Sequence, residues 1–185
     1  MQLIHRKIPR EFLDMLPEGM KFINRHGQEF LVVEELLCPE GHSLMVDSVR
    51  MHDEPSIRIA VHLPGRDEEQ DASGLIFIDA YWGSHAKLFN FMADPTHPMD
   101  YADARCPTCG ASLLVERSCG SLDCGSTRSL RFSFPGEGNA IYVCARLGCP
   151  DHSIVVGNVP AEIRDEVNEI NFFGYGDDDE AFGGI

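Results

Sequence analysis

A chain of 185 residues can bury a real core within one domain, or within one domain and a small appendage. Its formal charge of -15 disfavours nucleic acid and anionic membrane as partners, because like charges repel at long range. No stretch approaches the ~20 apolar residues of a membrane helix, and no apolar run follows the N-terminal charges, so a cytoplasmic chain is expected.

Residues 8–17 read as a short helix between prolines, with Ile8, Phe12, Leu13 and Leu16 on one face. Two strands follow, 20–23 and 29–34, around an Arg25-His26-Gly27-Gln28 turn. Between His42 and Cys106 the chain reads as mostly β, with candidate strands at 43–51, 57–63, 74–82 and 87–92. Residues 64–71 form a polar, exposed loop in this reading, and Asp94-Pro95-Thr96-His97-Pro98 a rigid linker. Further strands are expected at 112–116, 129–134, 139–143 and 153–156, with a hairpin turn at Pro135-Gly136-Glu137-Gly138. Asn158 is placed to cap a helix that has Pro160 in its first turn and Val159, Ile163, Val167 and Ile170 along one face. Residues 172–185 are glycine-rich, acidic and aromatic, and read as a flexible tail.

All seven cysteines fall in short clusters: Cys38-Pro-Glu-Gly-His42, Cys106-Pro-Thr-Cys109-Gly, Cys119-Gly-Ser-Leu-Asp-Cys124 and Cys144-Ala-Arg-Leu-Gly-Cys149. In a reducing compartment such clusters bind metal more often than they form disulfides, and an odd cysteine count argues against a closed disulfide framework. Tight turns carrying two ligands each build half of a tetrahedral thiolate and imidazole site. Cys106-Pro-Thr-Cys109-Gly110 resembles the knuckles of zinc-ribbon domains in general, a resemblance confined to the knuckles. Four ligand pairs suffice for two zinc ions per chain with no cysteine left over.

Matching like with like gives one site of Cys38, His42, Cys106 and Cys109 and another of Cys119, Cys124, Cys144 and Cys149. A competing pairing joins Cys106, Cys109, Cys119 and Cys124 and leaves Cys38, His42, Cys144 and Cys149, with His152 as a further donor. His152 could also replace Cys149, although a surface position beside the knuckle explains it without that role. Four-thiolate sites also suit iron; the Cys/His set favours zinc.

Sites closed by four protein ligands are structural, whereas catalytic zinc keeps a position open. No catalytic spacing is present, so no catalytic residue is assigned. The run Asp79-Ala-Tyr-Trp82-Gly-Ser84-His85 could line a pocket, and an enzyme built there is the alternative. Histidines at 52, 62 and 97, with Asp94 and Asp100, lie in the same insertion. Arg128 and Arg131 flank a strand containing Phe132 and Phe134; outward arginines over core phenylalanines account for that pattern better than a nucleic-acid platform does.

The expectation is therefore a β-rich α+β fold, with an antiparallel sheet region joined to a zinc-ribbon-like region and short helices near both termini. Residues 1–105 carry the first region, 106–171 the second, and 172–185 the tail. The function expected is a non-catalytic protein-binding or adaptor module.

Overall fold

The computed structural model describes residues 7–65, 71–92 and 99–172. Residues 66–70, the linker 94–98 with His97, and the tail beyond Phe172 lie outside the described residues. Among the described residues the chain runs α1 (Arg10–Asp14), β1 (Met20–Arg25), β2 (Gln28–Val33), β3 (Met45–Met51), β4 (Glu54–Leu63), β5 (Ala72–Ile78) and β6 (Lys87–Phe89). It continues through β7 (Asp103–Arg105), β8 (Leu114–Glu116), β9 (Arg128–Ser133), β10 (Ala140–Cys144), β11 (His152–Val155) and α2 (Ala161–Asn168).

These strands form three antiparallel sheets: a β1–β2 hairpin, a sheet ordered β3-β4-β5-β6 with β7 also paired to β4, and a sheet ordered β11-β10-β9-β8. The hairpin closes through His26 and Gly27, at φ 52 and 80. Positive φ at both central turn residues matches the twist of the flanking strands. In β4, Ile57, Ile59, Val61 and Leu63 are buried while Arg58, Ala60 and His62 alternate outward, the period-2 pattern of a sheet with one covered face. In β9, Leu130 and Phe132 are buried and Arg131 points the other way.

The covered faces meet. Ile57 and Ile78 of one sheet and Phe132 and Ile141 of the other line the same interior space. One contiguous core runs from Ile8 and Phe12 through both sheets to Val167. The hairpin joins it through hydrogen bonds from Val33 N to Ala80 O and from Trp82 N to Leu31 O. A Leu37↔Ser133 bridge ties the segment after β2 to the cysteine-rich sheet. No helix among the described residues is long and apolar enough to cross a membrane.

The structure corrects several local expectations. The first helix is one short turn, Arg10–Asp14, ending before Pro17 as residues preceding proline avoid helical geometry. Asn158 does not cap α2; Pro160 takes that position without a side-chain cap bond. The strand expected at 74–82 stops at Ile78, because the Asp79 carboxylate accepts the Tyr81 N–H and turns the chain. β6 ends at Phe89, where the Asn90 side chain takes over and accepts the Leu75 N–H. Strand β7 was not foreseen, for three residues are too few to establish a period.

Candidate metal centres

Two sets of four ligand atoms cluster in the structure: Cys38, His42, Cys106 and Cys109, and Cys119, Cys124, Cys144 and Cys149. Within each set the ligand atoms all lie within 4.8 Å of one another. The competing pairing is not the one the fold brings together. His152 belongs to neither set.

The first set joins two turns far apart in the chain. After β2, Cys38 O accepts the Gly41 N–H at 2.9 Å and Cys38 N donates to His42 O at 3.0 Å, so both ligands share one side of a tight loop. After β7, Cys106 O accepts the Gly110 N–H at 2.9 Å, and Gly110 takes φ 75, which a side chain would resist. Cys38 and Cys106 are buried and Cys109 is exposed. The Cys38 sulfur stands 3.7 Å from that of Cys109 and 3.6 Å from His42 Nδ1.

The second set sits at one end of the β8–β11 sheet. Cys144 is the last residue of β10, Cys119 follows β8, and Cys149 precedes β11. The sulfurs of Cys119 and Cys149 are 3.6 Å apart, and those of Cys124 and Cys144 3.5 Å apart. Tetrahedral zinc with Zn–S ≈ 2.3 Å and Zn–N ≈ 2.0 Å separates two sulfurs by about 3.8 Å and a sulfur and a nitrogen by about 3.5 Å. A disulfide would require about 2.0 Å. The spacing in both sets therefore fits a metal held among the ligands.

Backbone amides point at the sulfurs. His42 N donates to Cys38 Sγ, Ser121 N to Cys119 Sγ and Arg146 N to Cys144 Sγ, at 3.3–3.4 Å. Burial works against the Cys106 thiolate, yet the amides of Cys109 and Thr108 more than offset it and hold its pKa below the usual thiol value. Cys124 is held low in the same way, with the Ser126 amide and the neighbouring thiols outweighing burial. Cys144 is pushed up to about 12, by burial first.

A brace that spacing alone could not disclose supports the second set. The Arg146 guanidinium donates through Nε to Asp100 Oδ1 at 2.8 Å and through Nη1 to the Cys124 carbonyl. Ser126 Oγ donates to the other Asp100 oxygen at 2.8 Å. Against the cost of burial, these donors hold the Asp100 carboxyl below the usual carboxylate range.

The run from Asp79 to His85 does line a cavity, of about 40 Å³, between the two larger sheets. Asp79 is buried and already engaged: Oδ2 is 2.7 Å from His52 Nδ1 and accepts Ser84 Oγ at 2.6 Å, while Oδ1 accepts the Tyr81 amide. His85 Nε2 meets His152 Nδ1 at 3.1 Å. His152 is buried against Trp82, ring centroids 4.5 Å apart, rather than on the surface. Burial drives both imidazoles toward the neutral form, His85 to about 3. His62 lies apart, bonded to Ser73 and paired with Asp71. Phe132 and Phe134 are buried, as expected, and Arg128 turns inward to donate to Tyr101 O at 2.6 Å.

No family model, no curated protein and no solved structure matches this chain.

Proposed function

We propose that this chain is a zinc protein with two structural sites, and that its role is the non-catalytic binding of another protein. The observation that carries the reading is the donor geometry. Two sets of four protein ligands have sulfur–sulfur and sulfur–nitrogen distances suited to tetrahedral zinc. With all four positions supplied by the chain, neither ion keeps a place for water or substrate, so its contribution is to folding.

An enzyme centred on Asp79 and His85 fits less well. Three donors occupy the Asp79 carboxylate, and a cavity of about 40 Å³ holds little more than a water or two. The test is elemental analysis of protein purified without added metal. Two zinc ions per chain are expected; iron, or a single ion, would overturn the reading.

A further inference from the structure

Residues Met99 to Tyr101 lie against the turn that carries Cys144 and Cys149. Tyr101 N donates to Ala145 O at 2.8 Å, Leu147 N donates to Met99 O at 3.0 Å, and Asp100 stands opposite Arg146 between them. Side chains reinforce the contact. Asp100 accepts Arg146 Nε and Ser126 Oγ, each at 2.8 Å, and Arg128 donates to the Tyr101 carbonyl. Apart from Arg128 at the start of β9, every partner lies in the turns of the second set: Ser126 follows Cys124 by two residues, and Ala145 to Leu147 fall between Cys144 and Cys149.

The same segment ends in the first set. Cys106, a buried member of that set, comes five residues after Tyr101. Between them runs β7, extended and paired with β4 at Asp103, Ala104 and Arg105. An extended strand has little slack, so a displacement of the Cys106 turn reaches Asp100 instead of being absorbed on the way. The segment also carries a cost while docked. Tyr101 is buried, and among the described residues its hydroxyl has no hydrogen-bond partner. An unpaired buried hydroxyl destabilises, and undocking would return it to water.

We infer that residues 99–106 couple the two metal sets, so that an ion held in one tightens the hold of the other. The inference rests on the reading of both sets as zinc sites and goes beyond it, because the two ions then do not bind independently. The two states are the segment docked and undocked. An ion in the first set fixes its Cys106 end, and an ion in the second fixes the turn that receives Asp100. Each ion therefore favours docking, and the coupling between their affinities is reciprocal. A chain that loses one ion loses the other more readily.

The test uses the full chain loaded with cobalt(II), whose absorption differs between four thiolates and three thiolates with an imidazole, so that each set is followed separately. Affinities come from equilibrium competition with a chelator. Cys109→Ser, which alters the exposed ligand of the first set, should weaken the second set about tenfold, within the usual range of such couplings. With Asp100→Ala already in place, the same change should weaken it less than twofold. An unmoved second set, or an equal effect in both backgrounds, would overturn the coupling. Should Cys109→Ser fail to fold, two variants with all ligands intact decide the matter. Asp100→Ala should weaken the first set, none of whose ligands it touches, and Tyr101→Phe should tighten both sets. A first set indifferent to Asp100→Ala would overturn the inference. So would an equal weakening by Gly27→Ala, a change remote from the segment that reports general loss of stability. Wild type that binds fewer than two ions would undo the zinc reading itself; two ions with independent affinities would undo only the coupling.

Discussion

The sulfurs of Cys38 and Cys109 stand 3.7 Å apart although 71 positions separate them in the chain. Closing so long a loop costs conformational entropy that grows with its length. The contact encloses β3 to β7, so the first ligand set ties the segment after β2 to the start of the cysteine-rich half. The second set spans only Cys119 to Cys149 and is local to one sheet. The two sets therefore do different mechanical work, one fastening distant segments and the other fixing strand ends.

Cys106→Ser should show this. It removes a buried member of the first set and leaves three donors, so elemental analysis should find one zinc ion per chain against the two expected of wild type. Structural zinc contributes about 10–16 kcal/mol to small-peptide folding, as much as the whole stability of an ordinary domain. Loss of near-UV circular dichroism should accompany loss of the ion. A Cys106→Ser protein that kept two ions and its native spectrum would show that this set is not a metal site.

The His85–His152 contact makes stability depend on pH. Burial first, then His152 and Lys87, lowers the His85 pKa from 6.5 to about 3. The folded state then binds fewer protons than the unfolded chain between these values, so stability rises with pH there. This contribution is fully present above about pH 6.5 and is lost as pH falls toward about 3. From about pH 7.5 to about pH 5.5 the loss should be about 1 kcal/mol. Protonation of metal ligands adds its own acid-side loss, so the readout is a difference: His85→Asn should lose less stability than wild type over that interval in urea titrations. Equal slopes would exclude His85 as the source.

The grouping of cysteines was legible because ligand spacing and the likeness of flanking residues survive in one dimension. The strands β4 and β9 were legible as runs of β-branched and aromatic residues, although Ile57, Ala60 and His62 break strict alternation in the first, which begins three residues earlier, at Glu54. The brace from Asp100 to Arg146, 46 positions away, was not, because nothing near either residue marks its partner. His152 misled in the same way: beside a knuckle in sequence it suggests a surface or a ligand, and only the approach of Trp82 and His85 from the β5–β6 connection buries it. β6 ended early because an asparagine side chain replaced a backbone partner, a substitution that propensity does not foresee.

Gly19→Ala tests a close approach beside the β1–β2 hairpin. Gly19 has φ +91, and a Cβ there would meet the Glu35 carbonyl at 2.7 Å and Pro135 Cδ at 2.9 Å. Its own carbonyl accepts the amides of Glu34 and Glu35, which prevents the turn from moving aside. Gly27, at φ +80, has nothing within 4 Å of such a Cβ. Strain alone costs about 1–3 kcal/mol, so Gly27→Ala should lose that much and Gly19→Ala more. Equal denaturant midpoints for the two variants would show that the contact around Gly19 yields readily.

Trp82 fastens α2 to the body of the protein. Its indole Nε1 donates to Val167 O at 2.8 Å, near the end of that helix, while its ring packs on His152. Val167 O also accepts the Ile170 N–H at 3.2 Å, so removing the indole donor alone does not leave the carbonyl without a partner. Trp82→Phe should therefore cost only about 1 kcal/mol, with the ring contact kept. Trp82→Ala empties the site and should cost about 3–5 kcal/mol, as for other buried aromatics. Far-UV circular dichroism in denaturant measures both losses. Hydrogen exchange at the α2 amides should accelerate more in the alanine variant than exchange in β4, because the helix is what the indole holds. Uniform acceleration across both elements would mean that Trp82 supports the whole core and not the helix in particular.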